Sequence, residues 1–154
     1  MATDDKKKAN QLRLMGITMR GVALGIWDVV GETASSLGPS IGAQTLEVLE
    51  KEMGLEIAGE KPEDVLTEIG RLFVDEFGFA DRVDVDSSSG SVSMVVNNCK
   101  MATLTGKLID DGVDPFICPY RNTGLAALKR LGLHARARVA FDPAKGSVIT
   151  FELA

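Results

Sequence analysis

The segment 97–124, NNCKMATLTGKLIDDGVDPFICPYRNTG, decides the fold because it separates two regions in which apolar side chains alternate with polar ones. The alternation before it, at 82–97 around the turn SSSG, predicts a β-hairpin. A second alternation, at 135–153 around the turn DPAKG, predicts another hairpin. Inside the segment, apolar residues recur at helical spacing over 99–111 and again up to Leu131. Two hairpins joined by helices predict an antiparallel sheet in an α+β domain.

Three further helices are predicted before the first hairpin. The first carries an apolar stripe at three- and four-residue steps, formed by Leu12, Met15, Met19, Val22, Ile26, Val30 and Leu37. The breaker Gly38-Pro39 starts the second helix, and GEKPED, with a proline and two acidic residues, starts the third. We therefore predict three N-terminal helices, a β-hairpin, two helices and a β-hairpin, with a four-stranded antiparallel sheet packed against helices.

The totals fit one domain that needs no metal or disulfide to fold. The chain has 154 residues, with 17 basic and 22 acidic side chains and a formal charge of −5. That balance argues against nucleic-acid binding. We expect a disordered N-terminus over 1–9 and a single ligand-binding-type domain over 10–154. We see neither a signal peptide nor a stretch able to span a membrane, and we expect a cytoplasmic protein.

Both cysteines lie in the opening segment, and three roles are open to them. Cys99 and Cys118 could bind a metal with His134, although neither belongs to a C-x-x-C pair. Cys118 precedes a helix start, where a thiol can have a lowered pKa and act as a nucleophile, but no general base is evident. The third role is that of small buried apolar side chains, which is common for free cysteine.

A ligand pocket is the other candidate site. The chain is rich in glycine and methionine and only 5% aromatic, a composition that could leave an adaptable apolar cavity between helices. We predict that Trp27, Met101, Cys118, Tyr120 and Arg121 line it, the last two at its polar end. The first helix has more than one apolar side, which a second subunit would cover, so we also predict a homodimer.

The element order, the first-helix sequence LGIWDVVGETASSLG and the segment NNCKMATLTGKLIDDGVDPFICPYRNTGLAALKRLGLHARARVAF resemble 4-vinyl-reductase-type domains. These are related to Bet-type subunits of the TRAPP tethering complex and to haem–nitric-oxide sensor domains. The resemblance implies a homodimeric domain that binds a small, hydrocarbon-like ligand. Two features depart from it. No cysteine precedes Cys99, where Bet-type subunits carry a lipid-modified cysteine, and His134 lies at a strand start rather than on a helix, where haem sensors hold their axial ligand.

Three functions follow as hypotheses. The first is a binding domain for an apolar ligand, without catalysis. The second is a protein-interaction or scaffold subunit like those of tethering complexes. The third is a cysteine-dependent enzyme or metal-binding protein. The sequence identifies no cofactor and no reaction.

Overall fold

A computed structural model describes all 154 residues and has the predicted α+β architecture. The elements in chain order are α1 (Asp4–Val30), a 3-10 helix (Gly31–Leu37), α2 (Gly38–Lys51), α3 (Pro62–Asp75), β1 (Arg82–Ser88), β2 (Ser91–Asn97), α4 (Ala102–Asp110), α5 (Pro119–Arg130), β3 (Ala135–Asp142) and β4 (Gly146–Leu153). Three helices, a hairpin, two helices and a hairpin were predicted, and this order is confirmed.

The four strands form one antiparallel sheet in the order β1-β2-β4-β3. The two hairpins join through their second strands, with Met94 opposite Ile149. Both of these side chains are fully buried, as is Phe151 on the same face of β4. Helices α3 and α5 pack on this face. The sheet therefore has one apolar face under helices, as its period-two pattern predicts.

Helices α2 and α5 pack in very close contact. A Cβ atom added at Gly42 would lie 1.8 Å from the backbone oxygen of Asn122 and 3.1 Å from the Ala126 side chain. Only glycine at position 42 allows the two helices this separation. The contact fixes α5 against α2 and so positions Cys118 and Tyr120 at the N-terminal end of α5.

The first helix differs from its prediction at both ends. Residues 4–9, expected to be disordered, continue α1, because the Thr3 hydroxyl caps the helix by accepting a 3.4 Å hydrogen bond from the Lys6 amide. Asp4 and Asp5 in the first turn add favourable charge at the positive end of the helix. At the other end, Gly31 with φ +60° stops the α-helix, and the chain continues as a 3-10 helix to Leu37.

Most of the apolar stripe of α1 is exposed. The residues spaced three and four apart, Leu12, Met15, Met19, Val22, Ile26 and Val29, follow the a and d spacing of a coiled coil. Leu12 and Met15 are 63% and 64% exposed, and Val29 is 83% exposed. Only Ala23 of α1 is fully buried, in a small second core with Leu108 and Phe116. We call the six spaced residues the α1 seam.

By length and composition alone, the helical segment Asp4–Lys51 could cross a membrane. Its most apolar 18-residue window has a mean hydropathy of 1.3, and 6% of that window is buried. The same test is passed by core helices and signal sequences, so it does not assign a membrane span.

Candidate functional site

An apolar crevice with a volume of about 190 Å³ opens between α2, the end of α3 and the start of α5. Its lining residues are Thr45, Leu49, Phe73, Phe77, Phe79 and Pro119. We call it the phenylalanine crevice. Because no charged side chain lines it, the crevice favours hydrocarbon or aromatic groups over ions.

The end of α3 places the three phenylalanines around one point. Helix α3 stops at Asp75, and Gly78 takes the left-handed conformation at φ +56°. The Phe79 amide then donates a 2.8 Å hydrogen bond back to the Phe73 carbonyl, a pattern typical of glycine-terminated helices. Phe73 thereby meets Phe77 and Phe79 edge-on, with ring centroids 6.0 and 6.2 Å apart.

Tyr120 forms the packed layer behind these rings. Its ring centroid lies 4.8 Å from that of Phe73 and 6.1 Å from that of Phe79. The side chain is fully buried, and its hydroxyl has no hydrogen-bond partner in the protein. A buried tyrosine hydroxyl normally finds a partner, so this unpaired group is a polar feature within an otherwise apolar region.

The two cysteines belong to the same region, as buried apolar side chains. Cys118 lies in the main core, and the partly buried Cys99 packs against that core. Burial raises the pKa of the Cys118 thiol to about 11, and it also raises the pKa of Cys99. The pKa of Tyr120 is raised as well, first by burial and then by the two neighbouring thiols. The lowered pKa considered for a nucleophilic Cys118 is therefore wrong, because desolvation outweighs the helix N-terminus.

The candidate metal ligands are not brought together. No three His, Cys, Asp or Glu side chains lie close enough to hold a metal ion. His134 is exposed just before β3, and its backbone oxygen accepts a hydrogen bond from the Ala154 amide. Cys99, Cys118 and His134 therefore do not form the metal site that was one of the roles considered for them.

Arg121 was predicted to lie at the polar end of a pocket. Its side chain is instead buried and paired within the protein. It is 5% exposed and forms an ion pair with Asp114 at 3.2 Å. The same carboxylate accepts a 2.6 Å hydrogen bond from the Ser35 hydroxyl. Asn122 continues this network by donating to the Phe116 carbonyl at 2.8 Å. The network fastens α5 to the 3-10 helix, which makes Arg121 a structural residue rather than a free anion receptor.

Trp27 and Met101 lie in the second core, apart from the crevice. Trp27 stacks on Phe116 with ring centroids 6.4 Å apart, and Met101 packs against the same cluster. None of the five predicted residues lines the crevice. Tyr120 packs against two of its phenylalanines, and Cys118 lies in the same main core and directly precedes Pro119 in the chain.

The crevice phenylalanines are not among the lining residues predicted from the sequence. Three of the six phenylalanines of the chain fall within FVDEFGF, residues 73–79. A helix end with a glycine between two of them indicates rings that turn toward one another. This cluster of phenylalanines is the feature of the sequence that indicates the crevice. It is easily missed because only 5% of the residues of the whole chain are aromatic.

The fold is that of a known class of protein. A trafficking protein particle complex subunit 3 from Naegleria fowleri, described as covalently bound to palmitic acid, matches with a TM-score of 0.61. The match covers 95% of this chain and 96% of that chain at 14% sequence identity. At this identity the match defines the fold alone, and it supports the TRAPP-like part of the resemblance.

The chain belongs to the family described as "Putative rubredoxin C-terminal domain", whose model matches residues 12–151. A curated relative named "Putative rubredoxin", from Methanothermobacter thermautotrophicus, is 30% identical over 116 residues. That alignment covers 74% of this chain and 57% of the relative. Neither family nor relative carries the 4-vinyl-reductase name that the resemblance implied.

The metal centre that the word rubredoxin implies does not fit this chain. A tetrahedral iron–sulfur site requires four thiolates. The chain has two cysteines, no third candidate ligand lies with them, and burial holds the Cys118 thiol in its protonated form. The residues present cannot form such a site.

Proposed function

We propose that this domain binds a small apolar ligand in the phenylalanine crevice and acts without catalysis. The observation that carries the proposal is a crevice lined by three phenylalanines, Leu49, Thr45 and Pro119, with no charged group among them. The fold is shared with a palmitate-bound protein, and the resemblance to 4-vinyl-reductase-type domains implies a hydrocarbon-like ligand; both support this function.

The volume of the crevice limits the ligand. An apolar cavity of about 150 Å³ holds one benzene molecule. A crevice of about 190 Å³ is therefore matched to one aromatic ring or a short alkyl group. A long acyl chain would need the core to open, at the cost of the packing around Phe73 and Tyr120. We expect a compact ligand, or one that inserts only a ring or chain end.

Toluene is a direct probe for this proposal. If toluene binds the folded protein, it raises the thermal midpoint of unfolding. Above the dissociation constant, this rise grows with the logarithm of the toluene concentration. Thr45→Trp would fill the crevice from the half-buried face of α2 and abolish this rise. Gln44→Trp places the same ring on the preceding residue of α2, which is exposed and does not line the crevice, and serves as the matched control. An equal toluene response in wild type and Thr45→Trp would refute the site.

We further propose that the domain is a homodimer formed through the α1 seam. Coiled-coil spacing, the exposure of the seam and the small flanking residue Gly25 suit close approach of a second apolar helix. A membrane-spanning role fits poorly, because Arg13 and Arg20 both lie in the central part of α1 and Asp28 lies near its end. Arg20 also forms an ion pair with Asp111 at 2.8 Å, which ties α1 to the domain.

The oligomeric state tests the seam. Met15→Glu places a charge on it, and we expect a shift from dimer to monomer in sedimentation equilibrium. Leu14→Glu is the control, because Leu14 is 62% exposed and lies on a different side of α1. A wild-type monomer with α1 intact would contradict the dimer. It would favour the alternative function, an interaction subunit whose seam receives a different protein.

A further inference from the structure

A groove lies between residues 9–24 of α1 and the region of α4, and it is lined by different kinds of side chain from those of the phenylalanine crevice. It has a volume of about 640 Å³. Its apolar surface comes from Ile17, Leu24 and Leu104, together with Leu12, which also belongs to the α1 seam. On the α1 side, a Cβ atom added at Gly16 would meet no atom within 4 Å, so the missing side chain leaves the space open.

Four cations and no acidic residue line this groove. Arg13 and Arg20 come from α1, Lys107 from α4, and Lys100 from the turn before α4. Arg20 pairs with Asp111, whereas the other three form no ion pair within the protein. This cluster of positive charges contrasts with the chain as a whole, which carries a formal charge of −5.

From this combination we propose that the α1–α4 groove binds an anionic amphiphile, a single molecule with a carboxylate or phosphate head and an aliphatic tail. The unpaired cations can form charge-assisted hydrogen bonds with the head, and the leucine and isoleucine side chains can cover the tail. The volume lies within the range of about 300–1,000 Å³ typical of small-molecule sites. A concave groove of this size suits a discrete ligand better than a flat bilayer surface.

This site is independent of the phenylalanine crevice, since the two share no lining residue. Either proposal can therefore fail while the other holds.

Isothermal titration with dodecanoate below its micelle concentration is the primary test. We expect saturable binding by wild type that weakens as salt rises, because salt screens the exposed head-group contacts. Dodecanol carries the same tail without the charge, and inorganic phosphate supplies an anion without the tail. Both should bind at least tenfold more weakly than dodecanoate. Vesicles containing phosphatidylglycerol provide the bilayer arm of the experiment.

Two sets of variants locate the binding. Lys100→Gln with Lys107→Gln removes two exposed cations, and we expect about fivefold weaker dodecanoate binding. Arg136→Gln with Lys145→Gln removes the same charge from exposed positions outside the groove and should leave binding unchanged. Gly16→Leu should block the tail while preserving the fold, because its Cβ meets nothing and leucine favours helix more than glycine does.

The expected pattern is dodecanoate binding lost in Gly16→Leu, reduced in the lysine pair and retained in the control pair. The proposal is overturned if dodecanol binds as tightly as dodecanoate, or if both charge-removing pairs weaken binding equally. It is also overturned if only vesicles bind, which would indicate membrane adsorption instead of a single-molecule site.

Discussion

Replacement of Gly42 by alanine probes the contact that holds α5, and with it the crevice, in place. The added Cβ would lie 1.8 Å from the Asn122 backbone oxygen, where real Cβ atoms essentially never approach within 3.0 Å. The shortfall is about 1.2 Å, and the obstructing atom belongs to the backbone of a helix. No side-chain rotation can relieve it, so α2 and α5 must move apart.

The expected cost follows from this geometry. Overpacking a well-packed core costs about 1–3 kcal/mol, and a backbone clash belongs at the upper end of that range. Because alanine favours the helix more than glycine does, it offsets up to about 1 kcal/mol of this loss in the free energy of unfolding. We therefore expect a net loss of about 2 kcal/mol in the free energy of unfolding. In a domain of this size that corresponds to a fall of about 4–8 °C in the thermal midpoint.

Gly106→Ala is the matched control. Gly106 also lies in a helix, α4, but its added Cβ would meet nothing within 4 Å. The same substitution should there raise the free energy of unfolding by about 0.5–1 kcal/mol. Urea denaturation of both variants, followed by circular dichroism, measures the two effects. Equal stability of the two variants would contradict a backbone contact between α2 and α5.

Three further predictions test the buried polar groups and the surface. Asp114→Asn leaves the buried Arg121 cation without its counter-charge, and we expect about 2 kcal/mol of destabilisation in urea denaturation, whereas no change would contradict the ion pair. The pKa of the Cys118 thiol is raised from 9.0 to about 11, so the protonated thiol favours the folded state, and this contribution to stability is complete below about pH 9. That stability is lost as pH rises from 9 through 11, and Cys118→Ala should flatten this decline in pH-dependent denaturation. Arg138→Ala removes an exposed pair with Glu152 on the sheet and should change the free energy of unfolding by less than about 0.5 kcal/mol; a larger change would show that the pair is structural.

Local patterns in the sequence predict most of the elements but not how they meet. The hairpins around SSSG and DPAKG follow from alternation and turn residues, which act over a few neighbours. The pairing of β2 with β4 spans α4 and α5, and no local pattern specifies it. The same limit applies to Gly42. The requirement for glycine there comes from contact with the Asn122 backbone, 80 residues further along the chain.

Burial was harder to predict than helix formation. The α1 stripe has the periodicity of a buried face, yet Leu12 and Met15 are largely exposed, because periodicity indicates an apolar side and not what covers it. The cysteines show the converse. A position at a helix N-terminus suggested a reactive thiol, and only the packing around Cys118 reveals that desolvation dominates.

The most direct test of the proposed ligand site is a toluene titration followed by NMR of the aromatic side chains. We expect saturable shifts of the Phe73, Phe77 and Phe79 ring signals in wild type, while the Trp27 ring signals in the second core stay unchanged. The Thr45→Trp variant should show none of the phenylalanine shifts. Absence of saturable shifts in wild type, or equal shifts in Thr45→Trp, would contradict an apolar ligand site in the phenylalanine crevice.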